Sequence, residues 1–253
     1  YPGSPLAGLD LEMERATQDS PELPIVLRPA LNEELAVSAM MGSQLASSRP
    51  DATHDGVVGL WYGKAPGLDR SSDALRHAVF AGTSPHGGAV AIVGDDPAAK
   101  SSTLPSSSDA TLVDLHLPIL YPGDVAQALA LGRHAIALSR ASGLWVGLKV
   151  VGSVADGTGS VALDPHRVDP VVPTIDGQAY ECHPDGLLLG AHSMEIEREL
   201  RGIRSELAVR YGELNELNRL TVDCADAWLG IIASGVTHRE LMEALRRLGL
   251  DTE

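Results

Sequence analysis

Five short apolar runs rich in β-branched residues punctuate this chain: PIVLRP (24–29), DGVVGLWYG (55–63), GGAVAIVGD (87–95), LHLPILYP (115–122) and GLWVGLKVVG (143–152). Between them, 33–48, 70–81 and 123–142 carry helical spacing. Runs this apolar have to be covered on both faces, and strands joined through helices are parallel. The pattern predicts an α/β fold, a largely parallel sheet flanked by helices. With 253 residues and 44% apolar content there is material for one large domain or two smaller ones.

The helix signals are clearest at 123–142, where Asp124 caps, Val125, Ala128, Leu129, Leu131 and Ile136 form the buried face, and Gly143 stops the run. From about Asp156 to Pro184 the periodicity dissolves into Gly, Pro and Asp, an excursion or linker. The charged stretch 193–218 interleaves acids and bases and predicts a helix with a solvated face along most of its length. The final DAWLGIIASGVTHRELMEALRRLGLDTE reads as strand, glycine turn, threonine cap and amphipathic helix, the first βα unit of a following domain. The expected division is 1–155, 156–222 and 223–253.

Charge removes several classes of partner. Nineteen Lys and Arg against 34 Asp and Glu give a net charge of −15, which repels nucleic-acid phosphates and anionic lipid surfaces. Cys182 and Cys224 form no CxxC, so a disulfide framework, a zinc site or an iron–sulfur cluster cannot come from this chain alone, and a reducing, cytoplasmic setting is expected. No apolar run has membrane-spanning length and no basic-then-apolar leader opens the chain; the opening YPGSP reads as a turn following something missing, and both ends are taken as trimmed.

Familiar cofactor motifs fail on context. Gly157, Gly159 and Ala162 have dinucleotide-loop spacing after a strand, but LDPHRVDPVVP follows, and its prolines forbid the required helix. There is no G-x-x-x-x-G-K-[ST], no G-x-S-x-G, and no histidine pair at i, i+4 around an acid.

An acid pair stands out instead. Asn32 is a good N-cap, which makes Glu33 and Glu34 first-turn residues favoured by the helix dipole, by about 0.3–1 kcal/mol each. Leu35, Ala36, Val37, Ala39, Met40 and Met41 predict a helix buried on most sides, so one glutamate should point inward. A carboxyl in an apolar site is pushed toward its protonated form and can share a proton with a ligand nitrogen.

In order along the chain, YPGSP, NEELAVSAMMGSQ, GVVGLWYGKAPGLDRSSDALRHAVFAGTSPHGG and GDDPAAKSST resemble the pyrimidine-binding domain of the thiamine-diphosphate-dependent 2-oxoacid:ferredoxin oxidoreductases, in particular indolepyruvate:ferredoxin oxidoreductase. The resemblance runs from Tyr1 to about Val151, and NRLTVDCADAWLGIIASG is similar to the entry into that family's next domain. It implies oxidative decarboxylation of an aryl pyruvate to an acyl-CoA. Coenzyme A and ferredoxin would be partners, in a homo- or hetero-oligomer whose iron–sulfur clusters lie in other domains or subunits.

Among individual residues, the resemblance makes Glu33, nine residues before Gly42, the cofactor-activating acid. It sets Lys64, Gly67 and Asp69 in the loop against the cofactor, and Ser4, Lys64 and His86 toward the substrate. Two departures matter. PSSSD (105–109) stands where the family has a run resembling PHQSE, so imidazoles that could donate protons are missing. No GDG followed by asparagine is present, so Mg²⁺ and the diphosphate need ligands outside this segment. A non-oxidative decarboxylase or carboligase, and a non-catalytic assembly domain, are the competing expectations.

Overall fold

The structure is a computed structural model that describes residues 3, 5–164 and 168–250. In chain order it forms α1 (Ala7–Asp19), α2 (Glu33–Ala46), β1 (Val58–Lys64), α3 (Ala65–Arg70), α4 (Ser72–Ala81), β2 (Gly88–Asp95), α5 (Asp109–Asp114), β3 (Ile119–Leu120), α6 (Val125–Ser142), β4 (Val146–Val151) and α7 (Gly152–Ala155). A small hairpin of β5 (Thr174–Ile175) and β6 (Gln178–Ala179) follows, then α8 (Gly190–Glu199), a π-helical turn (Leu200–Arg204), α9 (Ser205–Leu214) and α10 (Gly235–Leu248).

β1, β2, β4 and β3 lie side by side in that order, all parallel. The chain crosses the sheet in one direction through α4 and α5 and returns through α6, so right-handed crossovers put these helices on opposite faces. The two core clusters follow that division. Val37, Met40, Leu75, Val79 and Leu112 pack with Trp61 and Val93 on one face. Ala135, Leu138 and Ala141 of α6 pack with Val90, Leu148 and Tyr211 on the other.

Local signals act as their chemistry requires. Asn32 Oδ1 accepts the Leu35 N–H at 2.9 Å, Asp124 Oδ1 accepts that of Gln127 at 2.7 Å, and Gly143 ends α6 at φ 72°. Gln44, fully buried near the end of α2, donates to Val57 O at 2.8 Å and accepts from the N–H groups of Ser84 and Gly88 at 3.2 Å. That residue fixes the end of α2 to the amino edge of the sheet.

Several sequence expectations change; in α6 the fully buried residues are Ala135, Leu138, Ser139, Ala141 and Ser142, while Leu129 is 42% exposed. PIVLRP is not a strand: Pro24 and Pro29 bracket it, and Val26 is 70% exposed. The run 226–232 pairs with no strand among the described residues, and Trp228 is 91% exposed. α2 is buried along one face only, through Val37, Met40 and Gln44, while Leu35, Ser38, Ala39, Gly42 and Ala46 are exposed. The stretch 193–218 is amphipathic, with Ile196, Leu200, Leu207 and Tyr211 buried; its ionic residues mask the stripe in the sequence.

The π-turn, kinked at Gly202, rotates that stripe so that Arg204 also points inward. Its guanidinium donates to Val79 O at 2.7 Å, Phe80 O at 3.2 Å and Gly143 O at 2.6 Å, clamping carbonyls at the ends of α4 and α6. Farther along, Tyr211 Oη and His134 Nδ1 share a hydrogen bond of 2.9 Å between α9 and α6.

Burial, aided by Arg133, holds the His134 imidazole below its usual range. A histidine depressed in the folded state favours folding while neutral. That contribution is complete above its unfolded value near 6.5 and is lost as pH falls through the range below it. Between pH 7 and pH 5, the wild-type chain is expected to lose more unfolding free energy than His134→Gln, as urea titrations at the two pH values would measure. Equal losses would show that His134 does not couple these helices to pH.

No helix among the described residues is long and apolar enough to cross a membrane.

Candidate functional site at the carboxyl edge of the sheet

After β2 the chain leaves toward α5 on one face, and after β4 it leaves toward α7 on the other. Adjacent strands whose exits diverge open a crevice at their carboxyl ends, the place where ligands bind in open parallel sheets. Gly94 and Gly152 sit at its mouth. A Cβ on Gly94 would stand 2.9 Å from Pro5 and Leu6, and one on Gly152 would stand 3.8 Å from Pro5, so the opening turn lies across the crevice. Ser4 falls outside the described residues.

α2 runs antiparallel to β1, which brings its first turn to the carboxyl edge. Trp61, buried in β1, donates its indole N–H to Glu33 O at 3.0 Å and pins that turn. The Glu33 side chain is directed at α3: a Cβ on Gly67 would lie 2.8 Å from its Cγ and 2.9 Å from its Oε1. Glycine here makes room for the carboxylate.

Glu33 is half-buried and its carboxylate takes no hydrogen bond among the described residues; Glu34 is exposed. Lys64, half-buried, ends β1 and starts α3. Asp69 is exposed and accepts the Thr111 hydroxyl at 3.1 Å, tying α3 to α5 rather than facing inward.

His86 is separated from this group. It precedes β2, whereas Lys64 pairs with Gly94 near the end of β2. Six residue steps at about 3.3 Å put the two edges roughly 20 Å apart. The structure therefore places His86 at the amino edge, in an open cleft of about 800 Å³ that His54, His183, Glu181 and Asp185 also line. The turn TSPHGG connects α4 to β2, so it cannot reach the carboxyl end.

Sequence reading passed over a second group at the crevice. Lys149, buried within β4, places Nζ 2.5 Å from Asp109 Oδ2, 3.4 Å from Asp95 Oδ2 and 4.7 Å from the centre of the Tyr121 ring. Asp95, 1% exposed, also accepts from the Ser108 N–H at 2.9 Å and the Ser108 hydroxyl at 3.0 Å, all on Oδ2.

Burial lowers the Lys149 ammonium and raises the Asp109 carboxyl; their mutual hydrogen bond overrides both, so each is held charged. A lysine inside VGLKVV was the available signal, because a charge in a doubly covered strand needs partners. PSSSD, read as a departure, supplies those partners through Ser108 and Asp109, and its Ser106 hydroxyl takes the Asp96 N–H at 3.0 Å.

Tyr121 also contacts the C-terminal segment. Gly235 has φ +54°, and a Cβ there would stand 2.5 Å from the Tyr121 ring, so the start of α10 rests directly on the aromatic face. Asp124 and Arg239 form an ion pair beside it.

A half-buried carboxyl group with no hydrogen-bond partner among the described residues, backed by glycine, is suited to sharing a proton with a ring nitrogen. Nothing comparable serves a metal: the described residues group no three His, Cys, Asp or Glu side chains able to hold one.

No protein-family model matches the chain. Similarity is instead to curated proteins described as indolepyruvate oxidoreductase subunit IorA. That of Methanothermobacter thermautotrophicus is 27% identical over 228 residues, covering 90% of this chain and 35% of the relative. Those of Methanothermobacter marburgensis and Archaeoglobus fulgidus are each 26% identical, covering 99% of this chain and 38% of the relative. The chain thus spans a little over a third of the length of the curated relatives it matches. Along almost its whole length, and with a parallel sheet of the expected kind, the chain is thus similar to part of the IorA subunits of indolepyruvate oxidoreductase.

Proposed function

We propose that this chain carries the aminopyrimidine half of a thiamine-diphosphate site in an oxidoreductase that decarboxylates a 2-oxoacid, with an aryl pyruvate as substrate, an acyl-CoA as product and a ferredoxin-type acceptor. When bound, thiamine diphosphate supplies a carbon nucleophile for the keto group and an electron sink for the loss of CO₂.

The observation that carries the reading is Glu33, delivered by a capped helix to the carboxyl edge with its carboxylate unpaired among the described residues and Gly67 cleared for it. Its role is to hold a proton against the pyrimidine ring nitrogen. Lys64 and Gly67, at the end of β1 and in α3, would lie beside it, with Lys64 offering positive charge to a substrate carboxylate. Mg²⁺, diphosphate and iron–sulfur ligands belong to other domains or subunits.

Calorimetric titration of the full-length polypeptide with thiamine diphosphate and Mg²⁺ tests this. Hydrogen bonds to charged groups are worth about 1.5–3 kcal/mol, so Glu33→Gln should weaken binding about 10- to 100-fold. Unchanged affinity in Glu33→Gln would leave Glu33 as a helix-capping acid and remove the basis of the reading.

A further inference from the structure

We infer that Lys149 is an anion-exchange site: its ammonium receives the carboxylate of a small organic acid, and Asp109 is a built-in carboxylate that occupies the position until the ligand arrives. Three observations meet here. First, Lys149 lies at the crevice where the exits of β2 and β4 diverge, at the family site's edge but outside the residues assigned to cofactor or substrate above.

Second, its two acidic partners are held very differently. Asp95 is fixed, enclosed in the core and bonded twice to Ser108. Asp109 is half exposed, opens a short helix, and among the described residues keeps Ser107 at 2.6 Å as its only other side-chain partner. Rotating Asp109 outward returns its carboxylate to water while a ligand carboxylate takes its place. The charge around Lys149 does not change in that exchange, so no uncompensated ion is buried.

Third, Asp95 Oδ1 is buried and receives no hydrogen bond. A buried carboxylate oxygen without a donor is an unmet demand in a group whose other oxygen already lies 3.4 Å from the Lys149 ammonium. A carboxylic acid carrying a donor group, or a water entering with it, satisfies that oxygen. Choosing a 2-oxoacid as that ligand rests on the proposed function; the exchange at Lys149 does not.

The test is calorimetry on the full-length polypeptide without thiamine diphosphate, using phenylpyruvate and phenylacetate as probes. Lys149→Met is expected to lose at least 10-fold in affinity for both. Asp109→Asn, which removes the competing internal anion, is expected to bind both several-fold more tightly. Opposite signs are the signature, because a merely structural ion pair predicts that both variants bind alike or more weakly.

Should Lys149→Met fail to fold by thermal melting, Asp109→Asn with Lys149→Arg decides: tighter binding in the first and retained binding in the second support the exchange. Asp109→Asn no tighter than wild type, or no binding of either probe by wild type, overturns it. Thiamine diphosphate titrated separately into the same variants keeps this outcome apart from that of Glu33, since loss of carboxylate exchange leaves cofactor affinity intact.

Discussion

Arg204→Met is expected to lower the melting temperature by about 10 °C. The guanidinium is 2% exposed and bonds three main-chain carbonyls at the ends of two helices packed on opposite faces of the sheet. Methionine fills much of the volume but takes the guanidinium donors from Val79 O and Phe80 O and leaves Gly143 O with the Thr83 N–H alone, at about 1–3 kcal/mol for each buried acceptor left unpaired, before relaxation. A net loss of about 3 kcal/mol corresponds to that shift in a domain of this size, at roughly 2–4 °C per kcal/mol.

Lysine is not expected to rescue the protein, because one ammonium lacks the planar fork that spans carbonyls from two helix ends. Differential scanning calorimetry of the three proteins is the check. A Met variant melting within about 2 °C of wild type, on the same scale of shift per kcal/mol, would mean that the clamp is dispensable.

Gly67→Ala is expected to separate stability from activity. Gly67 lies in α3 with no positive φ, so alanine introduces no backbone strain and gains about 0.8–1.0 kcal/mol of helix propensity. The new methyl group, however, would stand 2.8 Å from Glu33 Cγ and 2.9 Å from Oε1. Glu33 is the end of a flexible chain and yields by rotating, so the fold survives while the carboxylate leaves its position.

A displacement of about 1 Å can cost about 100-fold in rate. Thiamine-dependent 2-oxoacid turnover by the assembled protein should fall by about that factor, with melting temperature unchanged or raised. An alanine variant with full cofactor affinity would show that Glu33 need not sit where Gly67 now admits it.

Much of the scaffold was legible because its rules are local. Asn32 and Asp124 are caps wherever an acceptor precedes a helix, Gly143 is a left-handed stop, and uninterrupted runs such as GGAVAIVGD can only be covered strands. PIVLRP and LGIIASG carry the same apolar signal without becoming strands, because pairing requires a free neighbouring edge and composition does not say whether one exists. The stripe in 193–218 was hidden for a related reason: a π-turn at Gly202 shifts the periodicity, and Arg204 looks like a surface charge until three carbonyls are found around it.

The candidate site divides in the same way. Sequence alone determined the α/β class and the capped helix that carries Glu33, both consequences of residues within a turn or two of one another; the run read as a glycine-rich turn at 62–70 is instead the end of β1 and helix α3. Tertiary structure alone decided that His86 lies at the far edge, that Glu33 faces Gly67, and that Lys149 meets Asp95 and Asp109 across a crevice. Those placements depend on strand order and on which face each crossover takes. Both are set by the packing of segments distant in sequence, which no local pattern records.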